Sequence, residues 1–184
     1  MSNSTPALKT PSVKRRLICM VYEAFLLVAV EMLVTLVFLL VTQNRHSPIY
    51  DHARNFVLFL ALAAYFIHFW TDSGHTLAMK TWRIKVVKPA YARLPPGVAA
   101  KRFLLGWGWF LPALAVCHAF GINSKSGIGI TVLLGVIAWA LTAFADSDRQ
   151  FLHDRLLGTR LVLLPEPAKK QKQAVAPDAA AQKL

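Results

Sequence analysis

The sequence predicts an all-α integral membrane protein with four transmembrane helices, both termini in the cytoplasm, and short cytoplasmic helix or strand segments after helices 2 and 4. Three observations lead to this fold class. Hydrophobic residues make up 55% of the 184 residues, which is high for a soluble domain. Four long apolar blocks have no lysine or arginine in their interiors. The basic residues lie between the blocks, where they orient helices in a bilayer.

Each apolar block is long enough to form a membrane span. A helix rises about 1.5 Å per residue, so about 20 residues cross a hydrocarbon core of about 30 Å. The second block is the shortest, and Arg54 at its start can extend its long side chain to the headgroups. Pro112 is expected to kink the third span. We predict the spans at residues 17–42, 54–71, 103–122 and 127–145.

The basic residues predict the topology. With the N-terminus inside, 18 of the 21 lysine and arginine residues face the cytoplasm, and only Arg45, Arg54 and Lys125 lie outside. This distribution follows the positive-inside rule. It also accounts for the formal net charge of +12 through contact with anionic lipid, and no nucleic-acid motif is present. The expected partners are the lipid bilayer with anionic lipid at its cytoplasmic face and, because four helices enclose little space, a second copy or another membrane protein, but no nucleic acid.

The chain divides into one membrane domain and two tails. We expect disordered cytoplasmic tails at residues 1–13 and 166–184, the second of which is rich in Ala, Lys, Gln and Pro. The membrane domain covers residues 14–165. Between the second and third spans, "RIKVV" alternates basic and apolar residues as a short strand does. A strand-like apolar run also ends the segment after the fourth span.

The two cytoplasmic segments resemble each other and indicate an internal repeat. In "TLAMKTWRIKVV" and "FLHDRLLGTRLV", apolar and basic residues recur at matching positions. Each segment follows a pair of spans, and the two pairs open with "RRL" at 15–17 and "KRF" at 101–103. An even number of spans separates the copies, so both would have the same orientation in the membrane. The aligned positions are Leu77, Lys80, Lys85 and Val87 with Leu152, Arg155, Arg160 and Val162.

Three stretches carry a resemblance to a known family. "RRLICMVYEAF", "SGHTLAMKTWRIKVV" and "LHDRLLGTRLV" resemble the signature regions of the RDD family, bacterial membrane proteins named for one arginine and two aspartates. The resemblance covers nearly all of residues 14–165. It implies a multi-pass protein of the bacterial inner (plasma) membrane, with ligand or ion transport suggested for some members and a molecular function that is unsettled for the family.

The resemblance assigns the family positions to residues of this chain. The arginine falls on Arg16, the first acid on Glu23 and the second on Asp154. Two departures stand out. Glu23 replaces the aspartate, which keeps the charge on a longer side chain. His75 and Ala78 stand where the family usually has glutamine and glycine.

Two acids in the first span are candidates for a proton or ion path. Glu23 lies about 9 Å beyond Leu17, and Glu31 about 12 Å deeper and about 80° around an ideal helix. Acids in membrane helices are costly and normally face a partner or a water-filled cavity. In one hypothesis, Glu31 exchanges a proton or cation and Glu23 passes it to the cytoplasm, while Arg16 keeps Glu23 ionised.

The alternative hypothesis is structural. Arg16 and Glu23, together with Asp154 and Arg155, would form an ion-pair cluster that holds the cytoplasmic segment against the first span. A protonated Glu31 would then form a hydrogen bond with a neighbouring helix. Replacement of Glu31 by glutamine separates the two hypotheses.

We expect neither catalysis nor a bound cofactor. The sequence contains no nucleophile, zinc or phosphate-loop motif of the common enzyme classes. Its two cysteines, Cys19 and Cys117, are isolated in apolar segments without metal-ligand spacing. The function predicted from the sequence is that of a small transport-related protein, coupled to protons or cations. The alternative is a non-transporting accessory or assembly factor that binds a membrane complex or anionic lipid.

Overall fold

The computed structural model describes residues 9–45, 47–146 and 148–166. Most of the predicted tails, residues 1–8 and 167–184, lie outside these residues. Within the described chain, three helices are long and apolar enough to cross a membrane. They are α1 (Val13–Val41), α2 (Pro48–Asp72) and α6 (Lys125–Leu141) with the 3₁₀ turn that extends it to Ala145. These helices correspond to the first, second and fourth predicted spans.

The segment predicted as the third span is divided. Helix α4 (Pro96–Gly106) leads into a 3₁₀ turn (Trp107–Trp109), and helix α5 (Leu111–Ala119) follows. Pro112 lies in the first turn of α5; it has no backbone N–H, and its ring crowds the carbonyl four residues earlier. The expected kink is therefore confirmed, but as a full interruption. Helix α4 also begins seven residues before the predicted span, because Pro96 fits the first position of a helix.

The two segments predicted as strands form one small sheet. Strand β1 (Ile84–Val87) pairs antiparallel with strand β2 (Arg160–Leu163). A short helix precedes each strand: α3 (Leu77–Thr81) before β1, and α7 (Leu152–Leu157) before β2. Gly158 has a positive φ of 63° at the end of α7, a conformation that glycine adopts at little cost.

The structure confirms the internal repeat. Leu77 and Leu152, which the sequence aligns, are each the first residue of a short helix. Helix α3 packs against α1, and α7 packs against α4. We call α1, α2, α3 and β1 the first half, and α4, α5, α6, α7 and β2 the second half. The antiparallel sheet joins the two halves.

The sheet lies at one end of the helices, which we call the sheet end. The start of α1 is also there, since the Leu163 N–H donates to the Lys9 carbonyl at 2.7 Å and the Gln150 side chain donates to Thr10 Oγ1 at 3.2 Å. Residues 9–12 therefore pack on the sheet, and the predicted boundary of the first tail is too late in the chain. The segments expected in the cytoplasm share this one end.

The buried core is concentrated at the sheet end. Ile84 and Val86 of β1 are each 2% exposed, and Phe151 is also 2% exposed. The outer faces of the long helices carry large exposed apolar residues, such as Phe25 on α1 and Ile130 on α6. Such faces suit hydrocarbon, where only helices and closed barrels satisfy their backbone groups. The fold thus combines lipid-facing helices with a small packed domain at one end.

Candidate functional site

A cavity of about 390 Å³ opens between α1, α2 and α4 and extends from the sheet end. Most of its lining is apolar, and the interrupted segment between α4 and α5 forms part of one wall. Cavities of this size with a few polar groups are typical of ligand sites. Its charged and titratable lining residues are Arg16, Cys19, Glu23, Glu31, Arg102 and His153.

Glu23 is buried and held by two hydroxyl groups. The Tyr65 hydroxyl of α2 donates to Glu23 Oε1 at 2.7 Å, and the Thr76 hydroxyl donates to Oε2. Thr76 also accepts a hydrogen bond from the Met79 N–H and so caps α3. Glu23 therefore connects α1 with both α2 and α3.

The expected ion pair between Arg16 and Glu23 does not form. One Arg16 amino group donates to the Arg149 carbonyl at 2.6 Å, and the guanidinium lies 4.2 Å above the centre of the Phe151 ring. Side chains on a helix lean toward its N-terminus, so Arg16 extends to the sheet end, whereas Glu23 lies two turns further along α1. Arg16 is 2% exposed, and its Nε and Nη1 atoms have no hydrogen-bond partner among the described residues.

Asp154 pairs with Arg102 and not with Arg155. The Arg102 Nε and Nη2 atoms donate to the two Asp154 oxygens at 2.8 and 3.3 Å. The Thr159 hydroxyl donates to the same carboxylate at 2.7 Å. Successive residues on a helix point about 100° apart, so Arg155 faces outward. Its Nε atom lies 3.9 Å from Asp146 Oδ1. The cluster predicted from Arg16, Glu23, Asp154 and Arg155 is thus split into separate contacts.

The environment of Asp154 favours its ionised form. The carboxyl group is completely buried, which by itself opposes ionisation. The Arg102 guanidinium outweighs this effect, with help from His153, whose Nε2 atom lies 3.3 Å from Asp154 Oδ2, so the pKa of Asp154 is lowered below its ordinary value. The Trp139 indole N–H lies 3.4 Å from His153 Nδ1 and orients the ring. Asp154 is therefore the centre of a buried network of charged and polar groups.

The sequence predictions missed several site residues, which are Tyr65, Thr76, His153, Thr159 and Arg102. For Arg102 the sequence did contain a signal, because "KRF" at 101–103 matches "RRL" at 15–17 in the repeat, which makes Arg102 the equivalent of Arg16. Both guanidinium groups lie 4.2 Å from the centre of an aromatic ring, Arg102 above Trp70 and Arg16 above Phe151. The same arginine position is therefore used in both halves.

Glu31 lines the deeper part of the cavity. It lies eight residues beyond Glu23 on α1, about 12 Å along the helix axis, and both acids contribute to the lining. Glu31 forms no ion pair within the described part of the chain. The two acids considered for a path thus face one space.

The described residues contain no group of three or more His, Cys, Asp or Glu side chains that could hold a metal ion. Cys19 and Cys117 are both buried and unpaired with each other. The charged and titratable side chains that line the cavity are its two arginines, its two glutamates, His153 and Cys19.

Comparison with known proteins identifies the family. The model of the RDD family matches residues 10–158, a range that contains Arg16, Glu23, Arg102 and Asp154. The searches of curated proteins and of solved structures found no match. The matched range includes the first copy of the repeat and the second copy as far as Gly158, just before strand β2 (Arg160–Leu163). On the strength of this match over most of its length, the chain belongs to the RDD family.

Proposed function

We propose that this RDD-family protein spans the bacterial inner membrane four times, with both termini in the cytoplasm. Three segments lie together at the sheet end: residues 9–12, the connection between α2 and α4, and the segment after α6. Their shared position supports this topology. These segments carry the basic residues that the positive-inside rule places in the cytoplasm. In this topology α4 and α5 together form one interrupted span.

We further propose that the protein couples the movement of protons or cations to transport. The observation that carries this proposal is the cavity that Glu23 and Glu31 line together. The hydroxyl groups of Tyr65 and Thr76 can both donate and accept hydrogen bonds. Glu23 can therefore keep its partners in either protonation state, as a site of proton exchange requires.

The interrupted helix supports the same role. Gly106, Trp107, Trp109 and Phe110, at the break between α4 and α5, line the cavity. Irregular backbone at membrane depth is tolerated where it lines a cavity, and transporters use such broken helices near their binding sites. The break thus lies where a conformational change can alter access to the two acids.

A flux assay in proteoliposomes tests the proposal. Wild-type protein is reconstituted, and internal pH and sodium are followed with fluorescent dyes after a gradient is applied. We expect Glu31→Gln to lower the flux to that of protein-free vesicles. Glu166→Gln is the matched control, because Glu166 is exposed and pairs with Arg83 outside the cavity. Equal fluxes from the wild type and Glu31→Gln would exclude the coupling role of Glu31.

The second candidate is a non-transporting accessory or assembly factor. The basic residues of the sheet end support it, because they can bind anionic lipid or an acidic surface of a membrane complex. Folded wild-type protein that gives no flux under any gradient, yet binds vesicles with anionic lipid more strongly than neutral vesicles, would favour this role.

A further inference from the structure

Among the described residues, Arg16 forms no ion pair, whereas its equivalent in the second half pairs with a carboxylate. Arg102 is satisfied by Asp154, and the repeat aligns Asp154 with Met79 of α3. Met79 offers no charge, and the Nε and Nη1 atoms of Arg16 have no partner among the described residues. A buried guanidinium with unmet donors is costly. This position is therefore built for an acidic group that does not come from the described chain.

The cavity next to Arg16 fits an apolar body. Arg16 and Met79 both line it, and most of the remaining lining residues are apolar, among them Met20, Leu27, Leu62 and Phe66. A volume of about 390 Å³ lies within the range of small-ligand sites. The planar guanidinium of an arginine can donate two parallel hydrogen bonds to two oxygens of a carboxylate or phosphate.

We propose that the cavity binds an anionic amphiphile, with its carboxylate or phosphate group at Arg16 and its apolar chain between α1, α2 and α4. Glu23 does not occupy the position, because it is engaged by Tyr65 and Thr76. Glu31 lies 15 residues from Arg16, about 22 Å along α1. The acidic group therefore binds at the sheet end and the chain points into the membrane. This site does not depend on the proposed transport.

Tryptophan fluorescence gives a direct test. Trp70, Trp107 and Trp109 line the cavity, so a bound brominated chain quenches their emission. Purified protein in a nonionic detergent is titrated with a brominated fatty acid, its methyl ester, brominated phosphatidylglycerol and brominated phosphatidylcholine. We expect saturable quenching by the fatty acid or by phosphatidylglycerol, and much weaker quenching by the ester and by phosphatidylcholine. Quenching by the fatty acid alone or phosphatidylglycerol alone identifies the source of the acidic group.

Variants locate the acidic group. Arg16→Gln is expected to weaken binding of the acid by about tenfold to a hundredfold, with little effect on the ester. Met79→Asp keeps the arginine and supplies an internal anion, so it should weaken binding in the same way. Arg93→Gln is the control, because Arg93 is 76% exposed and lies outside the cavity.

Three results would overturn the site. They are equal quenching by acid and ester, quenching that does not saturate, and unchanged acid binding in a monodisperse Met79→Asp variant whose new acid couples energetically to Arg16. The last variant keeps the proposal testable if Arg16→Gln fails to fold. Since binding is measured without a gradient, loss of flux in vesicles does not affect the outcome.

Discussion

The two halves of the molecule have a similar arrangement of helices and strand, but their charged residues differ. Each begins with a buried arginine on its first helix, and each arginine stacks on an aromatic ring 4.2 Å away. In the second half, α7 supplies Asp154 and closes an ion pair with Arg102. In the first half, α3 supplies Met79 at the aligned position, and the acid is Glu23 on α1 itself.

The two halves also differ at the position of Glu23. The spacing that makes Arg16 equivalent to Arg102 makes Glu23 equivalent to Trp109. Glu23 binds the Thr76 hydroxyl at the start of α3, whereas Trp109 packs against Phe151 at the start of α7, with ring centres 5.0 Å apart. One backbone arrangement thus supports a polar contact in one half and an apolar contact in the other. The second half, in which Arg102 pairs with Asp154, is suited to stability. In the first half, Arg16 lies beside the cavity without such a pair among the described residues.

The largest expected effect comes from breaking the ion pair between Arg102 and Asp154 in the second half. Asp154→Asn leaves the buried Arg102 without an anion, and loss of one partner of a buried ion pair costs about 3 to 5 kcal/mol of unfolding free energy. Chemical or thermal unfolding in detergent, followed by circular dichroism, measures the loss. Asp148→Asn is the control, because its pair with Arg160 is exposed and is worth at most about 1 kcal/mol. Similar losses in the two variants would mean that the buried pair is not the stabilising feature of the second half.

The difference in unfolding free energy between the wild type and Asp154→Asn should also depend on pH. The pKa of Asp154 is lowered in the folded protein, so its contribution is complete above the unfolded pKa of about 3.9 and is lost as the pH falls below it. The difference in unfolding free energy between the wild type and Asp154→Asn should therefore shrink by about 1.4 kcal/mol per pH unit below about pH 4. Denaturant titrations at about pH 7 and about pH 3 measure the difference. A difference that stays constant would contradict an ionised Asp154.

A smaller effect is expected from making the first half resemble the second. Met79→Asp places an acid at the position aligned with Asp154, where it can pair with Arg16. A double-mutant cycle of Met79→Asp with Arg16→Met should give a favourable coupling of about 1 to 3 kcal/mol between the new acid and the arginine. Unfolding free energies of the four proteins supply the cycle. A coupling near zero would show that the repeat does not bring position 79 to the guanidinium of Arg16.

Local patterns in the sequence predicted much of the fold. The apolar blocks predicted α1, α2 and α6, and the alternation in "RIKVV" predicted β1. Pro112 predicted a kink in a continuous third span, which the structure divides into α4 and α5. The matching "RRL" and "KRF" stretches indicated the repeat that the structure confirms. Each of these signals depends on residues within a few positions of one another, where backbone geometry is set by local sterics and periodicity.

The contacts of the site could not be predicted in the same way. Glu23 was expected to pair with Arg16, and Asp154 was grouped with Arg155, because these residues are close in sequence or share a helix face. The structure pairs Asp154 with Arg102, 52 residues away, and Glu23 with hydroxyl groups of α2 and α3. A charged side chain takes the partner that packing brings within hydrogen-bond distance, and that partner depends on how distant helices meet.

By itself, then, the sequence determined that apolar helices suited to a membrane alternate with basic segments, and that the chain contains two related halves. Hydrophobicity, charge and periodicity are properties of short segments, so they can be read without a fold. Only the tertiary structure decided that Arg102 pairs with Asp154, whereas Arg16 has no ion-pair partner among the described residues. That difference arises where α3 and α7 pack against α1 and α4, because the aligned residues there are Met79, which carries no charge, and Asp154, which does.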